Sequence, residues 1–479
     1  MNIVMVTSEC LPFSKTGGLG DVAYSLSKEY AKKGHIVSII TPLYSNFKYD
    51  KYPNLKKVFS YSVKMNWRNC YSEVYHLFHD GIEYYFIKCD QYFARNNGLY
   101  GYQDDGERFA YFDNAALELV KKIPYNVDII HCHDWQGGMI PCLLKVKFNN
   151  DKILSKIKSV ITIHNPLFKG YLNRESLYDL FEISTDYFDN GSVRLENMVS
   201  TLKAGIKFAD KITTVSPTHA YELTTPEGSK GLWYDLVLRH KDFCGILNGM
   251  DQDEFNPKED KIIFSNYDFS NFEINKVKNK EEFCKNNGLD PTLPLFAVVS
   301  RLTSQKGIDL ILAMSDFVTH NQGNFAVLGS GEYWAEEAFN KQYADFPSHN
   351  YVYIGYNDNI AHTLYSASDF FIMPSAFEPC GLGQMIAQRY GSLPIVRRTG
   401  GLKDSVICFD YERNNQDNAN GFGFDGYNIC DALKTSAQAL SVYQNQPLFN
   451  KLVKNALETD HSWNESANEY IKLYKSIIK

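Results

Sequence analysis

The stretch from Phe370 to Val406, FFIMPSAFEPCGLGQMIAQRYGSLPIVRRTGGLKDSV, constrains the fold more than any other part of the chain. Its apolar opening, Phe370 to Met373, reads as a buried strand of a parallel sheet. A turn from Pro374 to Pro379 carries one carboxylate, Glu378, and Cys380-Gly381-Leu382-Gly383 leads into a helical pattern from Gln384 to Tyr390. A second strand pattern, Leu393 to Val396, ends at Arg397-Arg398-Thr399-Gly400-Gly401. In an open α/β sheet, ligands bind in the crevice beyond the strand C-termini. Helix N-termini there offer free N–H groups and a positive dipole end to phosphate. A carboxylate in the same place accepts hydrogen bonds from sugar hydroxyls. The local reading is a site for a sugar nucleotide.

The same strand-loop-helix rhythm runs through the rest of the chain. Ile3 to Val6 reads as a first strand, followed by Ser8-Glu9, a loop Lys15-Thr16-Gly17-Gly18-Leu19-Gly20-Asp21, a helical pattern to Lys33 and a strand from His35 to Thr41. A glycine-rich first turn of this kind suits nucleotide folds, although it matches neither a P-loop nor a GxGxxG fingerprint. Residues 63 to 89 alternate in parts and suggest extra antiparallel strands. Further strands are expected at Asp128 to His131, Ser159 to Ile163 and Lys211 to Val215. The rhythm breaks near residues 240 to 260 and restarts with strands at Leu295 to Ser300, Phe325 to Leu328 and Val352 to Ile354. A helix expected from Ser462 carries an apolar stripe, Trp463, Ala467, Tyr470, Ile471, Tyr474 and Ile477, that must be buried. These patterns predict two doubly wound α/β domains, residues 1–242 and 243–458, with a C-terminal helix, 459–479, packed across.

With 479 residues the chain exceeds one ordinary core. Its 49 Lys+Arg against 56 Asp+Glu give a net charge of -7, which argues against a nucleic-acid partner. The ten cysteines show no CxxC pair or zinc-like spacing, so reduced thiols are expected. No signal peptide and no membrane span is visible, and a cytoplasmic protein is expected.

Several motifs have two readings when taken alone. Lys15 beside Gly17-Gly18 places a cation at a turn open to close ligand approach, and fits equally a tight turn with a surface lysine. Arg301 and Lys306 directly follow a strand, where a planar fork and a point charge suit a diphosphate; a solvated basic loop is the alternative. His131-Cys132-His133-Asp134 looks superficially like metal ligands but lacks a distant third ligand at suitable spacing. Local hydrogen bonding by its ring nitrogens at a strand end is the preferred reading. His164-Asn165 ends another strand, and Asn248-Gly249 has the form of a turn.

Together, Lys15-Thr16-Gly17-Gly18-Leu19, His131-x-His133-Asp134-Trp135, Thr162-Ile163-His164-Asn165, Asn248-Gly249-x-Asp251, Ser300-Arg301-Leu302-x-x-Gln305-Lys306-Gly307, Glu378-Pro379-Cys380-Gly381-Leu382 and Arg397-Arg398-Thr399-Gly400-Gly401-Leu402 resemble the bacterial glycogen synthase and plant starch synthase family, in order and over nearly the whole chain. The resemblance implies the GT-B fold, two facing Rossmann-like domains with the donor between them, no metal or other cofactor, and the C-terminal helix returning to the first domain. It implies retaining transfer of glucose from ADP-glucose to the non-reducing 4-hydroxyl of an α-1,4-glucan.

By the same resemblance, Arg301, Lys306 and Lys15 neutralise the diphosphate, helped by backbone N–H groups near Gly18 and Leu382. Glu378 binds hydroxyls of the donor glucose, His164 contacts the transferred sugar and Asn248 orients it. Tyr356 stacks on the base, and Glu9 and Asp21 lie toward sugar and acceptor. Asp134, Asn165, Cys380, Gly381, Gly383, Thr399 and Gly400 complete the implied substrate-binding set. The chain departs from the family pattern at Gln136, at Pro166-Leu167-Phe168-Lys169, at Gly383 and at Ile386. The second bears on the acceptor; none removes a charge assigned to the diphosphate. A UDP-glucose donor, another acceptor, a pyridoxal-dependent phosphorylase, a non-catalytic glucan-binding paralogue and a dehydrogenase are the alternatives.

Overall fold

A computed structural model describes residues 1–478; Lys479, the last position of the expected C-terminal segment, lies outside the described residues. The chain divides into two units, one formed by Met1–Asn248 with the segment from Trp463 onward, the other by Gly249–Ser462.

The first unit is built on a nine-stranded sheet. Its central strand, Asn2–Val6, pairs parallel with Ile36–Pro42 on one side and Ile129–His133 on the other. These strands are near-continuous apolar runs because helices cover both faces of a parallel sheet. Lys158–Ile163, Lys211–Thr214 and Phe243–Gly245 extend one side in parallel. On the other side Ile82–Lys88 is parallel to Ile36–Pro42, and Arg68–His79 and Lys56–Met65 follow as an antiparallel ribbon. The outer strand carries Lys56, Lys57 and Lys64 and a register shift between Lys57 and Phe59, features that discourage edge-to-edge pairing. A three-stranded sheet of Tyr171–Leu172, Met198–Ser200 and Arg194–Leu195 was not anticipated, since strands this short show no periodicity.

The first unit reaches Asn248 rather than residue 242, because Phe243–Gly245 is the last strand of its sheet and not the opening of the second domain. Residues 459–462, expected with the C-terminal helix, stay with the second unit. There the Met250 N–H donates to the His461 carbonyl at 2.8 Å, and Met250 pairs with Ser462.

The C-terminal helix is Trp463–Lys475, and it packs on the helix Gly18–Lys32 within the first unit. Trp463, Ala467, Tyr470, Ile471 and Tyr474 are buried, and the Tyr474 and Tyr30 rings meet edge to face at 5.7 Å. Each large side chain buried this way contributes about 1.5–3 kcal/mol over its exposed state.

The second unit is a six-stranded, wholly parallel sheet in the order Asn350–Ile354, Asn324–Gly329, Leu295–Val299, Phe370–Met373, Leu393–Arg397, Phe422–Phe424. Chain order reverses between Leu295–Val299 and Phe370–Met373, which makes the ends of these two strands the topological switch point. Among the described residues no helix is long and apolar enough to cross a membrane.

Candidate active site

In the second unit the two loops leaving the switch point meet. Lys306, after Leu295–Val299, places its Nζ 2.5 Å from Glu378 Oε2, after Phe370–Met373, and the Ser375 hydroxyl donates to the same oxygen at 3.1 Å. Glu378 is 7% exposed, so a desolvated carboxylate is held by one cation and one hydroxyl. The backbone around it is clamped. Gln305 Nε2 donates to the Phe377 carbonyl at 3.1 Å, the Ala376 N–H donates to the Gln305 carbonyl at 2.9 Å, and Arg397 Nη1 donates to the Ser375 and Ala376 carbonyls at 3.2 and 2.9 Å. Gln305 and Arg397 stand inside the recognisable motifs, but their targets are backbone carbonyls, which no residue pattern displays.

Two glycines allow the loops to approach. Gly307 has φ +75°, and a Cβ there would lie 2.4 Å from the Pro374 carbonyl oxygen. Gly400 has φ +45°, and a Cβ there would lie 1.9 Å from the Glu378 carbonyl oxygen. The remaining expected residues surround this core. Cys380, which is buried, and the partly exposed Gly381 lead to Leu382, the N-cap of the helix Gly383–Arg389, and Thr399 is the N-cap of Gly400–Ser405. Arg301 is exposed beside Lys306 on the same loop. Tyr356 follows the strand Asn350–Ile354, is 78% exposed and donates its hydroxyl to Asp358.

In the first unit the corresponding switch point lies between Asn2–Val6 and Ile129–His133. Glu9, buried after the first of these strands, accepts hydrogen bonds from the Thr16 N–H, the Thr16 hydroxyl at 3.1 Å and the Gly17 N–H at 3.4 Å. It therefore holds the turn that opens the helix Gly18–Lys32. Burial raises the Glu9 carboxyl above its ordinary range in spite of these donors. Lys15 is paired with Asp21 at 2.8 Å on the same turn, so its ammonium is already engaged. Tyr100, from a loop before the helix Asp105–Val120, meets the Ser8 hydroxyl at 2.7 Å and lies beside Glu9. Sequence reasoning missed it; the only signal was an aromatic residue between Gly98 and Gly101, both at positive φ.

Asp134 follows Ile129–His133 with φ +50°, a conformation strained for a non-glycine residue. Its Oδ1 accepts from the backbone N–H groups of His164 (2.7 Å) and Asn165 (3.3 Å) and so fixes the end of the neighbouring strand Lys158–Ile163. Asn165 Oδ1 in turn accepts the Leu167 N–H at 3.0 Å. Asn248 is buried, with its N–H on the Val215 carbonyl at 3.3 Å and its side-chain oxygen without a protein partner. His131, His133 and His164 form a row of imidazoles with ring centroids 4.4 and 5.3 Å apart. Among the described residues no group of three or more His, Cys, Asp or Glu is placed to hold a metal ion.

Burial pushes the Asp134 carboxyl up to about 7, against the lowering effect of its two backbone donors. A folded-state value above the unfolded one means that the native protein binds this proton more tightly. The contribution of Asp134 to stability is thus most favourable below about 4 and declines as pH rises to about 7. Asp134→Asn, which keeps an oxygen for both N–H groups, is expected to remove that decline. Melting temperatures of both proteins from pH 4 to 8 should show the variant gaining on the wild type through this window. Parallel curves would contradict the assignment.

Two doubly wound sheets, with a lysine-carboxylate pair at one switch point and a glycine-rich turn at the other, define a glycosyltransferase of the GT-B class. Residues 2–238 match the family model of the starch synthase catalytic domain, and residues 279–459 match that of glycosyl transferases group 1. The chain is 41% identical to a glycogen synthase of Clostridium beijerinckii, covering 100% of this chain and 99% of that protein. It is 42% identical to a glycogen synthase of Clostridioides difficile, with 100% of both covered. The catalytic domain of starch synthase IV from Arabidopsis thaliana, bound to ADP and acarbose, superposes with a TM-score of 0.89 at 34% identity, covering 99% of this chain and 98% of that one. The chain belongs to the glycogen and starch synthase family.

Proposed function

We propose that this protein transfers glucose from ADP-glucose to the non-reducing 4-hydroxyl of an α-1,4-glucan, with retention at the anomeric carbon and release of ADP. The observation that carries this reading is the Lys306–Glu378 pair at the switch point of the second sheet, with Arg301 on the same loop. A nucleoside diphosphate brings its negative charge to Lys306 and Arg301, and Glu378 is then free to accept from sugar hydroxyls. The relatives' names and the starch synthase IV structure bound to ADP and acarbose support the same donor and acceptor classes.

The barrier is loss of a diphosphate from an oxocarbenium-like carbon. The bond from C1 to the phosphate oxygen breaks, the acceptor O4 bonds to C1 on the same face, and the hydroxyl proton leaves with the departing phosphate. Stabilising that phosphate is the main lever, and each well-placed donor is worth about 10²–10³ in rate. Arg301, Lys306 and Lys15, with backbone N–H groups near Gly18 and Leu382, supply it. Lys15 must exchange its Asp21 partner for the ligand. His164, Asn165, Asn248, Glu9, Asp21 and Asp134 serve the sugar and acceptor. Tyr356 serves the base, and Cys380, Gly381, Gly383, Thr399 and Gly400 shape the phosphate turns. No metal is required on this reading, and the protein works in the cytoplasm.

Glucose incorporation into glycogen from ADP-glucose and from UDP-glucose, each with and without EDTA, tests the proposal. EDTA-insensitive incorporation from ADP-glucose is expected. Incorporation from UDP-glucose alone overturns the donor, and none from either overturns the activity.

Gly18→Ala separates ligand approach from folding. Nothing lies within 4 Å of a Cβ built at Gly18, so stability should change by less than about 0.5 kcal/mol. The added methyl occupies space the ligand needs, and KM for the donor should rise about tenfold or more. An unchanged KM would take Gly18 out of the site.

A further inference from the structure

The buried histidine row behind His164 is not used by the chemistry above, and its hydrogen bonds are specific. His131 is held at both nitrogens, Nδ1 by the Tyr474 hydroxyl at 2.7 Å and Nε2 by the Thr162 hydroxyl at 2.6 Å. Tyr474 comes from the C-terminal helix and also meets the Tyr30 hydroxyl at 3.0 Å; Thr162 meets the Thr213 hydroxyl at 2.6 Å. His133 packs against His131 with the rings tilted by 32°, and places its Nδ1 3.1 Å from His164 Nε2. Its Nε2 is buried with no hydrogen-bond partner, and His133 as a whole is 0% exposed.

One proton is shared between His133 Nδ1 and His164 Nε2, and it has two possible owners. If His164 owns it, neutral His133 must carry its own proton on Nε2, as a buried N–H without an acceptor. If His133 owns it, the orphan Nε2 is only an unused lone pair. Buried N–H groups without an acceptor are rarer than under-satisfied acceptors, and leaving a buried donor unmade costs about 1–3 kcal/mol. Burial depresses all three imidazoles far below the ordinary histidine range, so each is neutral and the choice is between tautomers.

We propose that His133 is a positioning residue, donating its Nδ1 proton to His164 Nε2 and so holding His164 as the tautomer that carries its proton on Nδ1. In that form His164 can donate to an oxygen of the transferred sugar; in the other it can only accept. His131, anchored by Tyr474 and Thr162, is the platform that keeps the His133 ring in place. The proposal rests on the reading that His164 touches the sugar.

Nitrogen-15 spectra of the full-length protein labelled at histidine report the tautomer directly, with His164 assigned by the signals lost in His164→Ala. The expected result is a protonated Nδ1 and an unprotonated Nε2. His133→Asn keeps an amide N–H near the Nδ1 position and should retain kcat within about threefold. His133→Leu should lower kcat about tenfold or more, and its His164 signals should shift toward the other tautomer. A merely structural role of His133 would lower the melting temperature without moving those signals. Protonation of His164 on Nε2 in the wild type overturns the proposal, even if His133→Leu fails to fold. Wild-type turnover in His133→Leu, with His164→Ala inactive, overturns it while leaving the site reading intact. Full activity in His164→Ala overturns both.

Discussion

Lys306→Ala should reduce kcat/KM for glucosyl transfer by about 10²–10³. The side chain does two things in the structure. It brings a positive charge to the switch point, and at 2.5 Å it neutralises Glu378, whose side chain is only 9% exposed. Removing it leaves a buried carboxylate held by the Ser375 hydroxyl. Breaking a buried pair by deleting one partner costs about 3–5 kcal/mol where both groups are fully enclosed, and less here because Lys306 retains 16% exposure. The variant should therefore fold with a lowered melting temperature, bind ADP more weakly and turn over slowly. Lys306→Arg keeps the charge but replaces a compact ammonium with a planar fork, so it should recover binding better than turnover. Steady-state kinetics and calorimetric ADP titration decide the matter; kcat/KM within about threefold of wild type would remove Lys306 from the site.

The second large effect is expected at a residue with no side chain. In Gly400→Ala the new Cβ would meet the Glu378 carbonyl oxygen at 1.9 Å and the Pro379 carbonyl oxygen at 3.2 Å, at a backbone φ of +45°. Both contacts are backbone, so neither yields by a rotamer change. The Gly401 N–H also donates to these two carbonyls, at 3.2 and 3.1 Å, and must move with them. The expected cost is about 2–4 kcal/mol, with a loss of activity of about tenfold or more as the Glu378 turn is displaced. Gly288→Ala is the control: its φ is +71°, but nothing lies within 4 Å of the added Cβ. It should cost about 1 kcal/mol and leave turnover unchanged. Equal effects at both positions would mean that backbone strain, and not collision with the Glu378 turn, is responsible.

Much of the fold was legible because parallel strands buried on both faces are continuous apolar runs. Phe370–Met373 and Leu295–Val299 are of this kind, and each ends in a glycine-bearing loop. The meeting of Lys306 and Glu378 follows from topology once both are placed at strand ends. Short elements were not legible. Phe243–Gly245 has three residues and no periodicity, so the boundary was set too early, and the small sheet around Met198–Ser200 passed unnoticed. Contacts that depend on tertiary approach were also hidden. Tyr100 reaches Ser8 across 92 positions, and Gln305 and Arg397 act on carbonyls. The Lys15–Asp21 pair is local, yet sequence alone treated both groups as available to ligand.

The first unit is discontinuous: its sheet is made early in the chain, but the helix that supplies Tyr470 and Tyr474 to its interior begins only at Trp463. On the ribosome, the intervening unit must be translated before that helix exists. At about 5–20 residues per second, the wait is on the order of 10–40 s. Until then, Tyr30 and His131 lack the Tyr474 hydroxyl that meets both of them in the complete chain. The first unit therefore completes its core only after the second has been made.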